Sequence, residues 1–488
     1  MKSKLLLFLA TIPMVVACAG PVTYAEGCEK GEVNATFKEL KDHSGSYFIS
    51  MPASGNRKVL IIPMWFSDSS NHVKDRDALR EDIRKAYLGT NEETGWRSVK
   101  TFYEEESWGS LKLDAVVTDW YEPGKTHAWY ANSSGKTSLA IQSAVEWYKE
   151  TTGDDCTQFD SDHDGYIDAV IMIYAYKNYA NLGDSSKDNL WAYCFYVNGN
   201  ANVDSPVPTT YFWASYDFMY GKDKGGYGDT SNSNLDTHTF VHEMGHILGA
   251  DDYYDYANEQ NPAGAFSMQD YNVGGHDPFS RLGYGWTKPL VPTESCEVTV
   301  KTFESSGDVI LLSPKYENSI FDEYILLELY SPTGVNEFDT VNRYNFSYPQ
   351  GANKVGFRIW HVDTRLCWSE GGSYGSANVT NQIEDGRTYD IACTNTTYGS
   401  DSQKIAGHTS PIKTFVNFKE LQLLRKDGKA GFFDAGDLWC EGDTFSVEQY
   451  QDQFVNKKLL DNGEKLGWKV EIVSVTDTEA TVRLTKTK

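Results

Sequence analysis

Two stretches, Lys58 to Asp68 (KVLIIPMWFSD) and Ala169 to Tyr176 (AVIMIYAY), are continuous apolar runs of strand length, and LKLDAVVTDWY from Leu111 also reads as a strand. Helical spacing appears instead in Ser98 to Ser107 (SVKTFYEEES), which Gly109 stops, and in Thr137 to Thr152, with Leu139, Ala144, Val145 and Tyr148 as candidates for its buried stripe. Residues 26–57 are polar and without clear periodicity, short for a folded pro-domain. After Thr287 the texture changes. Short segments (CEVTVKTF, YILLELY, VGFRIWHVD, GDTFSV, GWKVEIVSV and ATVRL) alternate with turn clusters, and the last two flank Thr476 to Glu479 as a terminal hairpin. The pattern predicts a mixed α and β region over 58–290 and a β-rich, β-sandwich-like region over 291–488.

Within the first of these regions lies FVHEMGHILGADDYYD, Phe240 to Asp255. At helical spacing Val241, Met244 and Leu248 form an apolar stripe, and His242 and His246, four apart, project together from the neighbouring face. Two imidazoles so placed can grip one metal ion. Glu243 stands beside them as a general base for an activated water, the arrangement of H-E-x-x-H zinc proteases. Gly249 can take a left-handed backbone and reverse the chain, returning Asp252 to the metal. Asp251 and Asp255 compete with Asp252 for that place. His238, four residues before His242, lacks a Glu partner and reads as a helix-start or supporting residue.

This stretch, with GAFSMQDYNVGGHDPFSRLGYGW from Gly264 to Trp286, resembles the immune inhibitor A-like family of secreted bacterial zinc metallopeptidases. The resemblance implies an α+β metzincin-like zinc metalloprotease domain, with zinc on His242, His246 and Asp252, catalysis by Glu243, and a Met-containing turn at Met268 beneath the site. Tyr271 and His276 are then candidate oxyanion donors or supports behind the ligands, with packing the simpler role for Tyr271. Leu190 to Val197 is a candidate for the edge strand that pairs with extended substrate, or an ordinary sheet strand.

A second acidic pattern, DSDHDGYID, opens at Asp160. Asp160, Asp162, Asp164 and Asp168, with the Tyr166 carbonyl and Gly165 at the bend, match the first nine places of a calcium loop, and a structural Ca²⁺ is expected there. The following apolar strand excludes a second EF-hand helix. His361 and Asp363, with no nucleophile at useful spacing, read as structural.

The chain's 488 residues accommodate two or three domains. Its net charge of -25 argues against nucleic acid and anionic membrane as partners. Residues 1–25 read as an export signal: Lys2 and Lys4 precede an apolar run, cleavage falls after Ala19 or Ala25, or Val15-Val16-Ala17-Cys18 acts as a lipobox and makes Cys18 a lipid-bearing N-terminus. Seven further cysteines are spaced too widely for a zinc cluster and are read as buried thiols or occasional bridges, with Cys28 a remote candidate for a latency switch. The expected protein is exported, secreted or lipid-anchored, and monomeric. It acts on protein or peptide substrates, host proteins being one class of these. The competing reading is a cell-surface binding or adhesion protein on an idle protease fold. A gluzincin, with a later Glu as third ligand, is a further alternative within the enzyme class.

Overall fold

The apolar runs become the spine of a five-stranded sheet, in the order Leu111–Val117, Gly55–Met64, Val170–Tyr174, Thr210–Ser215 and Tyr193–Tyr196. In this computed structural model, which describes residues 26–44, 48–227, 234–256, 261–344, 347–369, 374–396, 417–429 and 431–487, the first four strands are parallel and Tyr193–Tyr196 closes one edge antiparallel. The export segment with Cys18 lies outside the described residues.

Side chains alternate between two cores because successive residues of a strand point to opposite faces. Val59, Ile61, Ile171, Ile173, Phe212 and Ala214 enter one core with the helices Arg76–Leu88, Val99–Glu106 and His238–Ile247. Leu60, Ile62, Met172, Tyr174 and Trp213 enter the other, against the helix Ser134–Thr152. Strands covered on both faces need no polar alternation, which is why their sequence is continuously apolar.

The stripe of Ser134–Thr152 differs from expectation. Ala140, Ile141, Ala144, Val145 and Tyr148 are buried, whereas Leu139 is 55% exposed. At 3.6 residues per turn Leu139 lies roughly 200° round the helix from Ile141, on the solvent side.

The described part of residues 26–57 forms regular elements that its polar, aperiodic sequence did not announce. Cys28–Lys30 pairs antiparallel with Leu290–Pro292, and the helix Phe37–Asp42 sets Phe37 edge-on against Phe279 and Tyr284. Cys28 sits in the C-terminal apolar core, in a different cluster from the paired histidines' helix, which removes it as a cover for that site. All seven cysteines of the described residues are free thiols.

The C-terminal region builds two main sheets. The six-stranded one runs Cys28–Lys30, Leu290–Pro292, Val309–Leu312, Glu323–Tyr330, Gly356–Asp363, Leu421–Leu423. The four-stranded one contains Cys296–Lys301, Thr444–Phe445 and the terminal hairpin Trp468–Val475 with Glu479–Lys486. Ile310, Ile325, Leu327 and Ile359 face the four-stranded sheet, while Leu311, Leu326, Trp360 and Val362 of the same strands belong to the core that holds the helix His238–Ile247. A single apolar core therefore crosses position 290, and the expected boundary there passes through a paired strand. Among the described residues no helix is long and apolar enough to cross a membrane.

Candidate metal centre

The helix His238–Ile247 is buried on almost every side, and it carries polar side chains only where partners await them. Its first residue, His238, lies between the rings of Trp96 and Tyr344 at 3.9 and 4.4 Å and faces Asp236 through Nδ1 and Asp339 through Nε2. Burial opposes a charge there, but Asp339 and Asp236 prevail and lift its pKa to about 9. His238 thus anchors the helix start.

One turn on, His242 donates from Nδ1 to the Met268 carbonyl at 2.7 Å, and His246 from Nδ1 to the Ala250 carbonyl at 2.8 Å. Those bonds choose the tautomers and turn both Nε2 lone pairs inward. The Nε2 atoms face each other at 3.0 Å, and Asp252 Oδ1 lies 3.0 Å from one and 3.1 Å from the other. Asp252 Oδ2 accepts from the Tyr256 hydroxyl at 2.7 Å, which directs Oδ1 at the imidazoles. Three electron pairs converging in this way repel one another, and a divalent cation satisfies all three. The donor set therefore fits a metal. Without one, a proton is the substitute: burial disfavours charge on His246, but Asp252 lifts it to about 9, and the Asp252 carboxyl is held far below the usual range despite its own burial.

Asp252 reaches this point because the chain reverses at Gly249, whose φ is 107°. A side chain there would also meet Phe37 Cβ at 2.8 Å. Of the competing acids, Asp251 turns away to Lys41 at 3.0 Å. Glu243 is 6% exposed, and burial raises its carboxyl pKa against the pull of His246 and His242. Cys194, on the edge strand, donates its thiol to the Glu243 carbonyl at 3.1 Å.

Met268 is fully buried and contributes its carbonyl to His242. The ring of Tyr271, in the same short helix Met268–Tyr271, packs among Tyr254, Tyr348 and Phe432. His276 is not aimed at the three donors. Its Nδ1 and backbone N–H face Glu106 at 3.1 and 3.0 Å, its Nε2 faces Gln269 Oε1 at 3.2 Å, and Gln269 Nε2 lies 3.4 Å from His246 Nδ1. Arg281 closes the chain on Glu106 at 2.6 Å. Burial lowers the His276 pKa against the pull of Glu106. Glu106, Gln269 and Asp339 were not legible as site residues, because each acts across a tertiary contact. Asp339 also accepts the Gly274 amide at 2.8 Å and Asn336 the Gly275 amide at 2.7 Å, so the C-terminal region fixes the loop behind Met268.

Gly245 gives a direct check on this packing. A Cβ there would stand 2.1 Å from Gln269 Oε1 and 2.9 Å from the Tyr284 hydroxyl. Gly245→Ala is expected to destabilise the fold by about 1–3 kcal/mol through overpacking and to weaken metal retention. A urea midpoint equal to that of the parent chain would contradict the close approach.

The acidic loop is partly gathered. Asp160, Asp162 and Asp164 bring carboxylate oxygens within 4.8 Å of one another. Asp160 accepts the Asp164 and Gly165 amides at 3.0 Å each, and Lys38 from the N-terminal helix reaches Asp162 at 3.1 Å. Asp168 stands outside that group, with one buried oxygen unpartnered among the described residues and burial raising its pKa to about 7. Tyr166 lies in the short strand Tyr166–Ile167, its hydroxyl donating to the Gly199 carbonyl.

Two comparisons with known proteins bear on this site. Over 302 residues the chain is 24% identical to Immune inhibitor A of Bacillus thuringiensis subsp. alesti, a match that takes in 52% of this chain and 40% of that relative. The chain therefore spans well under two thirds of the length of the relative it matches. Residues 64–274 match the family model of the immune inhibitor A peptidase M6 catalytic domain, and that span includes Glu243, the three converging donors and Met268. Over residues 64–274 the chain is thus similar to the catalytic domain of the immune inhibitor A metallopeptidases.

Proposed function

We propose that the chain is a zinc-dependent endopeptidase, exported from a bacterium and cutting peptide bonds of extracellular proteins. The convergence of His242 Nε2, His246 Nε2 and Asp252 Oδ1, with Glu243 next in the helix, carries this reading. Zinc bound there would polarise the scissile carbonyl and acidify an attacking water. Glu243 takes the proton from that water and delivers it to the leaving amine, a role suited to a carboxyl whose pKa burial has raised. The carbonyls of Met268 and Ala250 hold both imidazoles in the required tautomer throughout. Among the described residues the antiparallel edge strand Tyr193–Tyr196 has a neighbour on one side only in its sheet, and an extended peptide can add to its other side by main-chain pairing. Such pairing suits protein and peptide substrates of varied sequence, host proteins among them.

The proposal extends to a metzincin-like arrangement of the catalytic domain, a monomer with a β-sandwich-like C-terminal region, and attachment to a membrane solely through a lipid on Cys18 if the lipobox is used. It also includes a structural Ca²⁺ at Asp160, Asp162 and Asp164, supported by the gathering of three carboxylates.

Metal removal separates the two ions. After treatment of the full mature chain with a chelator, casein hydrolysis is expected to fall to background. Zinc alone should restore cleavage, and calcium alone should raise the melting temperature without restoring it. Cleavage that persists in the chelated chain would refute the zinc mechanism, and an unmoved melting temperature would refute the calcium loop. A zinc-loaded chain that never cuts would return the adhesive reading.

A further inference from the structure

We propose that Glu323, His361 and Asp461 form a second zinc-type cation site, which clamps the chain before the terminal hairpin onto the six-stranded sheet. His361 and Glu323 lie on adjacent antiparallel strands, Gly356–Asp363 and Glu323–Tyr330, whose register pairs His361 with Ile325 and Glu323 with Asp363. That diagonal placement brings His361 Nε2 to 2.8 Å from Glu323 Oε1. Asp461 arrives from the loop that precedes the strand Trp468–Val475, and one donor atom from each of the three residues lies within 4.8 Å of the other two.

The group is deeply buried: Glu323 and His361 are 1% exposed and Asp461 is 7% exposed. Among the described residues, Asp461 Oδ1 has no hydrogen-bond partner. A buried carboxylate oxygen left without a donor is costly, and a cation removes that cost. The nearby Arg365 guanidinium hydrogen-bonds both oxygens of Asp363 at 2.8 and 2.7 Å, and its charge also acts on Asp461. Two carboxylates would otherwise share a single imidazole, whereas a divalent cation balances both and leaves His361 neutral.

The donor types select the ion. One imidazole nitrogen and two carboxylates suit zinc, while calcium takes oxygen ligands. The loop is already shaped for this, because the Asp461 and Asn462 amides donate to Glu323 at 2.5 and 2.7 Å and Phe454 packs 5.0 Å from the His361 ring. The site uses none of His242, His246 or Asp252, so it stands or falls apart from the proposed catalytic zinc.

The test is zinc counted by plasma mass spectrometry on the full mature chain, stripped with a chelator, dialysed against zinc chloride and freed of excess ion. The native chain should hold two zinc per chain, and Asp461→Asn, His361→Gln and His242→Ala should each hold one. A native chain with one zinc that His242→Ala removes would overturn the proposal, as would two zinc retained in Asp461→Asn. If His361→Gln does not fold, the native count and the near-isosteric Asp461→Asn decide between these outcomes. One zinc lost in Asp461→Asn but kept in His242→Ala would support this site and sink the catalytic zinc.

Discussion

Glu243→Gln is expected to lower kcat/KM on casein by about 10²–10⁴-fold while the chain keeps its zinc, because general acid–base catalysis contributes on that order. Glutamine preserves the volume of the side chain at a position only 6% exposed, so packing of the helix is left alone. What it removes is the proton-accepting oxygen. The His242 and His246 tautomers rest on the Met268 and Ala250 carbonyls rather than on Glu243, which is why the metal should stay. Paired kinetics and zinc counts on the native and variant chains make the comparison. A variant that cuts at the native rate would refute the role of Glu243, and one that loses its zinc would show that Glu243 helps to build the site as well as to use it.

The largest expected change in stability follows Glu106→Ala. Glu106 is 2% exposed, accepts from Arg281 and His276, and lies 170 residues from the latter in sequence. Its removal takes from the buried Arg281 guanidinium its ion-pair partner at 2.6 Å, leaving it against the rings of Trp108 and Phe303 with Glu304 as a nearby charge. Breaking a buried pair from one side costs about 3–5 kcal/mol. The urea midpoint should fall accordingly, and zinc retention should weaken, since His276 and Gln269 behind His246 lose their support. A loss under about 1 kcal/mol would contradict the buried charge network. The pair also makes stability depend on pH. Burial alone would raise the Glu106 carboxyl, but Arg281 and the His276 hydrogen bonds outweigh it and hold it below its ordinary value of 4.5. Its contribution is therefore complete above that ordinary value and fades as pH falls through the lower folded one, a fading that Glu106→Ala should abolish.

The close sharing of apolar core across position 290 bears on how such experiments are done. Leu311, Leu326, Trp360 and Val362 pack in the same cluster as Phe240, Val241 and Met244. A fragment beginning near Thr287 would expose that face, so binding studies of the C-terminal region belong on the whole chain.

The chemistry of the paired histidines was readable from sequence because it is local. Residues four apart on a helix meet whatever surrounds them, and Gly249 reverses the chain within a few residues to bring Asp252 back. The strands of the central sheet were readable for a related reason, since burial on both faces leaves a continuous apolar run. The terminal hairpin was legible from two strands and the short turn between them. By contrast, Leu139 was misplaced because Leu139, Ala140, Ile141, Ala144 and Val145 spread round the helix and admit more than one apolar stripe until something packs against it. The polar appearance of residues 26–57 concealed a strand and a helix whose order comes from distant partners, Leu290–Pro292 and Phe279. His276 offered itself as an oxyanion donor, and the fold instead turned it to Glu106. The sequence by itself thus determined which donors of His242, His246 and Asp252 come together and the classes of element, where contacts span a turn or two. Tertiary structure alone decided the carbonyls that choose the tautomers, the acids that hold His238 and His276, and the meeting of Asp461 with His361, because those contacts join segments whose proximity only the complete packing creates.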